Sequence, residues 1–171
     1  SLYNLTASGS ITLGGGTFAY QADRLNVRNA LNVSGSLASN AGEYIVYPLS
    51  SGTIAVGTAG TSVASLYKIS MRFSSGTISI PALTTPRIFC EYSGSTTQAT
   101  GDLTITTELQ VDSGATFNAN GNTINTAEVD VNGGTLNLSN STLNFATAGQ
   151  EWNMTSASTL TTGNTTVTGY S

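Results

Sequence analysis

Short runs in which apolar residues alternate with Thr, Asn or Ser recur along the whole chain, as at 135–145, where Leu136, Leu138, Leu143 and Phe145 are set among hydroxyls and amides. Period-two alternation puts the apolar set on one face of a strand and the polar set on the other. The runs are only about two to five residues long and are bounded by Gly, Asn and Ser, which marks strands ended by turns. No segment carries apolar residues at i, i+3, i+4 and i+7 over a useful length, so the pattern predicts almost no helix.

The runs also keep step with one another. Leu5, Ile11 and Leu13 return about 20 positions later as Leu25, Leu31 and Val33. Leu109 and Val111 return as Val129 and Val131 and again as Trp152 and Met154, while Phe117 is followed by Leu136 and Leu160, and Ile124 by Leu143 and Val167. A drifting period of roughly 20 to 25 residues is that of a solenoid. Stacked parallel strands about 4.8 Å apart then share a core that no single rung buries alone.

The fold predicted is all-β, a right-handed parallel β-helix of about eight rungs, the hand following from the rule for crossovers between parallel strands. One domain covers 1–171. It divides into regular rungs over 1–43, irregular rungs with a loop insertion at 91–101 over 44–102, and regular rungs over 103–171. In the third rung, Ile45 and Tyr47 are the expected inward pair. The alternative is an antiparallel β-sandwich fibre subunit with strand exchange between subunits.

Composition removes several functions. Only 8% of residues are charged, against about 25% in an ordinary soluble domain, so hydroxyls and amides must cover the surface. The net charge of −4 argues against nucleic acid or an anionic membrane surface as partner, and no apolar run is long enough for insertion into a bilayer. The chain has no His and one Cys, Cys90. That excludes a Ser-His-Asp or Cys-His centre, a histidine-ligated metal and an internal disulfide. Asn-X-Ser/Thr sequons begin at Asn4, Asn32, Asn137, Asn140, Asn153 and Asn164, close to what the Asn, Ser and Thr content produces by chance. Gly14, Gly15 and Gly16 read as a corner, since no helix or Lys follows to make a phosphate loop.

Stacking turns the repeat into columns of side chains. Lys68, Arg87, Glu108, Glu128 and Glu151 precede the first inward residue of their rungs and form one outward column; Arg72, Glu91, Asp112 and Asn132 form another. Asp130 lies between them, flanked by Gln110 and Asn153. Arg87 over Glu108 and Arg72 over Glu91 are expected ion pairs of small energy. Stacked Glu108, Glu128 and Glu151 are unfavourable as like charges, and with Asp130 they are the candidate Ca²⁺ ligands. Two carboxylates about 5 Å apart also suit a retaining glycosidase, although no aromatic platform for a sugar accompanies them. The plainer reading is a solvated acidic face with no catalytic group and no cofactor.

A second set of columns is uncharged. Thr116, Thr135 and Thr159 stack before the inward Phe117, Leu136 and Leu160, and Asn118, Asn137 and Thr161 stack after them. Such ranks suit a glycan or an ordered-water surface. They are equally what outward β-branched positions and stabilising Asn ladders look like.

The runs at 2–15, 31–37 and 103–145 resemble the degenerate β-strand repeats of very large surface and fibre proteins of bacteria, archaea and phages. The resemblance lies in repeat grammar and covers the first 40 residues and 101–168. It implies a β-solenoid stalk or fibre domain outside the cell or on a virion, and it carries no functional residue across. The expected function is therefore a structural, self-associating part of an extracellular filament, surface appendage or virion fibre. A glycan- or host-binding adhesin module is the alternative, and a polysaccharide-degrading spike comes third. Strand-like sequence near both ends predicts another β-element there: adjoining repeats of a larger protein, or a second copy stacked head to tail or exchanging a strand.

Overall fold

The structure is a computed structural model that describes residues 67–73, 75–145 and 150–169 in full and, before them, the backbone of nine short strands. Every pairing between its strands is parallel, which removes the sandwich alternative, and the described residues contain no helix. The chain is an all-β parallel solenoid, and Ile69, Ile88, Leu109, Val129 and Trp152 mark about five turns in one ladder. Ahead of these turns the strands Asn4–Ala7, Arg24–Val27 and Glu43–Val46 continue that ladder as backbone pairing.

Each turn presents three faces in succession. The first is built from 83–85, 103–105, 123–126, Thr142–Phe145 and Thr166–Thr168. A second contains Lys68–Met71, 87–90, 108–112, 128–132 and Glu151–Met154. The third stacks Gly76–Ile80, Ser95–Ala99, Thr116–Asn118, Thr135–Asn137 and Thr159–Thr161. The register slips between Thr85 and Arg87 and between Ile105 and Glu108, and those bulges bend the first face into the second. Pro86 sits in the first slip, where the ladder does not need its missing N–H.

The corner between the second and third faces needs residues at positive φ. Gly94, Gly114 and Gly133 stack there with φ of 83, 74 and 80°. Gly94 N–H donates to the Gly114 carbonyl at 2.9 Å, and Gly114 N–H to that of Gly133 at 3.2 Å. The opposite corner uses Asn120, Asn140 and Asn164, all left-handed, as the short amide side chain permits.

Alternation then fills the interior. Leu103, Ile105, Leu109, Val111, Phe117, Ile124, Val129, Val131, Leu136 and Leu143 are wholly buried, while their immediate neighbours along each strand are partly or fully exposed. Truncating a buried aromatic such as Phe117, held in the ladder between Thr97 and Leu136, costs about 3–5 kcal/mol in a site of this kind.

Two local expectations are corrected. Segment 91–101 is not an inserted loop: it contains the strand Ser95–Ala99, paired on both sides. Its inward residues Ser95, Thr97 and Ala99 are small or hydroxylated, so burial left no apolar alternation to read. In the third rung the register sets Ile69 against Tyr44 and Met71 against Val46, one residue away from the expected Ile45 and Tyr47. The corner at Gly14–Gly16 lies outside the described residues.

Candidate functional site

The outward side of the second face carries nearly all the charge of the five turns. Glu108, Glu128 and Glu151 occupy consecutive register positions, with Arg87 opposite Glu108. Parallel pairing places such neighbours about 4.8 Å apart at the backbone. The basic end of the column is paired as expected: Arg87 Nε lies 3.6 Å from Glu108 Oε2, and the Arg72 guanidinium meets the Glu91 carboxylate. Lys68 Nζ joins Glu91 at 3.3 Å and sits 4.5 Å from the centre of the Phe89 ring. Arg87 lies in the same way over Tyr67, at 4.4 Å. The outward aromatics thus serve as lids on cations.

The acidic end behaves differently. Burial, then the neighbouring Glu128 charge, pushes the Glu108 carboxyl above the ordinary carboxylate range, and Arg87 only partly opposes this. Glu151, on the last turn, is exposed and accepts a hydrogen bond from Asn153 Nδ2 at 3.3 Å. Asp130 stands in the next column between Gln110 and Asn153, and accepts from Asn132 Nδ2 at 3.0 Å. The four Ca²⁺ candidates Glu108, Glu128, Asp130 and Glu151 therefore share one face. They do not converge: among the described residues no group of three or more acidic, Cys or His side chains is placed to hold a metal ion.

The uncharged columns align on the third face as the sequence predicts. Thr116, Thr135 and Thr159 are register partners, and so are Asn118, Asn137 and Thr161. Sequence reading missed the start of both columns, because Thr77 and Thr96 extend the first and Ser79 and Gln98 the second. The period-two run Ser79–Ile80 and the Thr-Thr-Gln of 96–98 were the available signal. Over these five strands the outward side carries no charged side chain.

Much of the amide capacity is already used within the ladders. Asn118 Nδ2 donates to Gln98 Oε1 at 3.4 Å while its Oδ1 accepts Asn120 N–H at 3.0 Å, and Asn137 Oδ1 likewise accepts Ser139 N–H at 3.1 Å. On the first face Asn144 Nδ2 donates to Asn125 Oδ1 and Thr168 Oγ1 to Asn144 Oδ1, both at 2.9 Å. The bonds of Asn118 to Gln98, Asn144 to Asn125 and Thr168 to Asn144 tie turn to turn, whereas those to Asn120 and Ser139 N–H stay within one turn.

Inside the solenoid lie a few polar groups. Cys90 is buried, and burial drives its thiol up to about 12, which makes it inert as a nucleophile. Thr126 Oγ1 donates to the Glu128 carbonyl at 2.9 Å and the Thr97 hydroxyl meets the Cys90 thiol, but Thr85 buries its hydroxyl without a hydrogen-bond partner among the described residues.

The last turn has a different exposure. Trp152, Met154, Leu160 and Val167 hold inward register positions, yet they line an open concavity of about 620 Å³ beside the last described turn. No known protein family, curated protein or solved structure matches this chain.

Proposed function

We propose that this chain is a structural, self-associating segment of an extracellular filament, surface appendage or virion fibre, wound as a right-handed β-helix. The observation that carries this reading is the register that side-chain columns keep within each face along five turns, with amides and ion pairs spent on neighbouring turns. A scaffold of this type resists bending and needs no reacting group, which suits a stalk or spacer. The scarcity of charge and the resemblance in repeat grammar support a place outside the cell or on a virion. Small-angle scattering and negative-stain images of the purified chain test it: a rigid rod is expected. A compact, isometric particle rejects the proposal.

A second reading, an adhesin module for glycans, is favoured by the uncharged Thr and Asn ranks of the third face. A glycan array probed with wild type and Thr135→Lys tests that reading, since a charged side chain in the middle of the rank should abolish any retained sugar.

A further inference from the structure

Asn followed by Gly is a chemically fragile unit. The Gly nitrogen, stripped of its proton by solvent base, bonds to the Asn side-chain carbon; the side-chain nitrogen takes up a proton and leaves as ammonia, and water opens the cyclic imide to Asp or isoaspartate. Gly favours the attack because it has no side chain to obstruct it and a freely turning backbone. The pair occurs twice in the chain, at Asn120 before Gly121 and at Asn132 before Gly133, and both asparagines are exposed. The fold requires the glycines, since both stand at a φ of 80°. Asn120 is itself at 53°, and Asn122 N–H closes on the Ala119 carbonyl at 3.0 Å, so 119–122 is a tight turn of the kind that selects Asn-Gly.

The next turn of the solenoid holds both units away from that reaction. Gly121 N–H donates to Ser141 Oγ and Gly133 N–H to Ser158 Oγ, each at 2.9 Å and from 20 and 25 residues away. Each serine spends its own proton on a backbone carbonyl, Ser141 on that of Ser139 at 3.2 Å and Ser158 on that of Val131, which leaves its lone pairs for the glycine. The amide under attack is tied as well. Asn120 Nδ2 donates to the Ala99 carbonyl of the preceding turn at 3.2 Å, and Asn132 Nδ2 to Asp130 Oδ2 at 3.0 Å. To react, the glycine must first give up its bond to serine. We infer that Ser141 and Ser158 guard Asn120 and Asn132, two latent deamidation sites of this chain. Deamidation would put a carboxylate where the fold has no place for one, against the Ala99 carbonyl at position 120 and beside Asp130 at position 132.

The test incubates folded wild type, the same chain in urea, Ser141→Ala and Ser158→Ala in mildly alkaline buffer, and counts Asp and isoaspartate at each site by peptide mapping with mass spectrometry. Both sites should convert far more slowly in the fold than in urea. Removing one hydrogen bond to the glycine should speed conversion about fivefold at the paired site and leave the other unchanged. The paired site is Asn120 for Ser141→Ala and Asn132 for Ser158→Ala, so each variant carries its own control for a loosened fold. Amide hydrogen exchange followed by NMR reads the guard in wild type alone, where Gly121 and Gly133 should be protected, and it decides the matter for a variant that does not fold. Wild type that deamidates as fast folded as in urea overturns the inference, as do unprotected glycine amides. So does a variant, folded by circular dichroism, that speeds both sites alike or neither.

Discussion

Thr85 and Thr126 provide a matched pair for testing the packing argument, because they occupy one inward column two turns apart and differ only in what their hydroxyls meet. Ile105 lies between them in the ladder. Thr126 Oγ1 reaches the Glu128 carbonyl at 2.9 Å, whereas Thr85 Oγ1 is buried without a partner among the described residues. Valine has nearly the shape of threonine with a methyl in place of the hydroxyl. In Thr85→Val the change removes an unsatisfied buried group, which costs about 1–3 kcal/mol in proteins, and adds apolar burial worth about 0.8 kcal/mol. Allowing for local relaxation, a stabilisation of about 1–2 kcal/mol is expected, or a rise in melting temperature of about 2–8 °C for a chain of this size. Thr126→Val instead deletes a made hydrogen bond, at about 1 kcal/mol, and should be neutral to destabilising after the gained methyl is counted. Urea unfolding followed by circular dichroism, with midpoints compared at a common slope, separates the two. If both variants move the midpoint in the same direction by similar amounts, the hydroxyl of Thr85 is not the orphan described, and the argument fails.

Glu108→Gln should show a pH signature. A carboxyl raised in the folded state by burial and by Glu128 carries a cost when ionised that is absent below the ordinary carboxylate pKa and complete above the raised one. Wild-type stability should therefore fall as pH rises through that window, and the variant should flatten the fall, gaining less than about 1 kcal/mol near neutrality because the site is partly solvated. A variant equally destabilised at both ends of the window contradicts this. Cys90, buried and pushed up to about 12, should resist a neutral thiol reagent in the folded protein and label only on unfolding. Rapid labelling without loss of circular dichroism would show that the second face opens locally.

The ladders that a reader of the sequence finds are those whose inward residues are all apolar. Leu109, Val129 and Trp152, and Phe117, Leu136 and Leu160, stand in the register that their spacing implies. The columns of Glu and of Thr and Asn follow automatically, because an outward residue is fixed once its inward neighbour is placed. Legibility failed where the core is not greasy. Ser95, Thr97 and Ala99 are buried, yet nothing in their composition separates them from a loop, so a strand was missed and with it Thr96 and Gln98. It failed again at Tyr44, where two overlapping alternations, Tyr44 with Val46 and Ile45 with Tyr47, compete and only pairing with Ile69 and Met71 decides. Stacked like charges make the glutamate column costly to ionise, but the leading cause of the raised Glu108 carboxyl is burial, which a sequence cannot weigh.

The direction of stacking has a mechanical consequence. Because the three faces are ladders of parallel strands, the hydrogen bonds between turns lie along the long axis of the rod. The corner bonds from Gly94 to Gly114 and from Gly114 to Gly133 do so too. Tension between the two ends therefore loads one row of bonds at a time, as in a zipper, and not a whole sheet in shear. Each turn that gives way releases about 20 residues, or roughly 70 Å of extended chain. Such a rod is stiff under bending yet yields to a steady pull in small, repeatable steps. A filament made of it would lengthen turn by turn under load, with the remaining turns still folded behind the break.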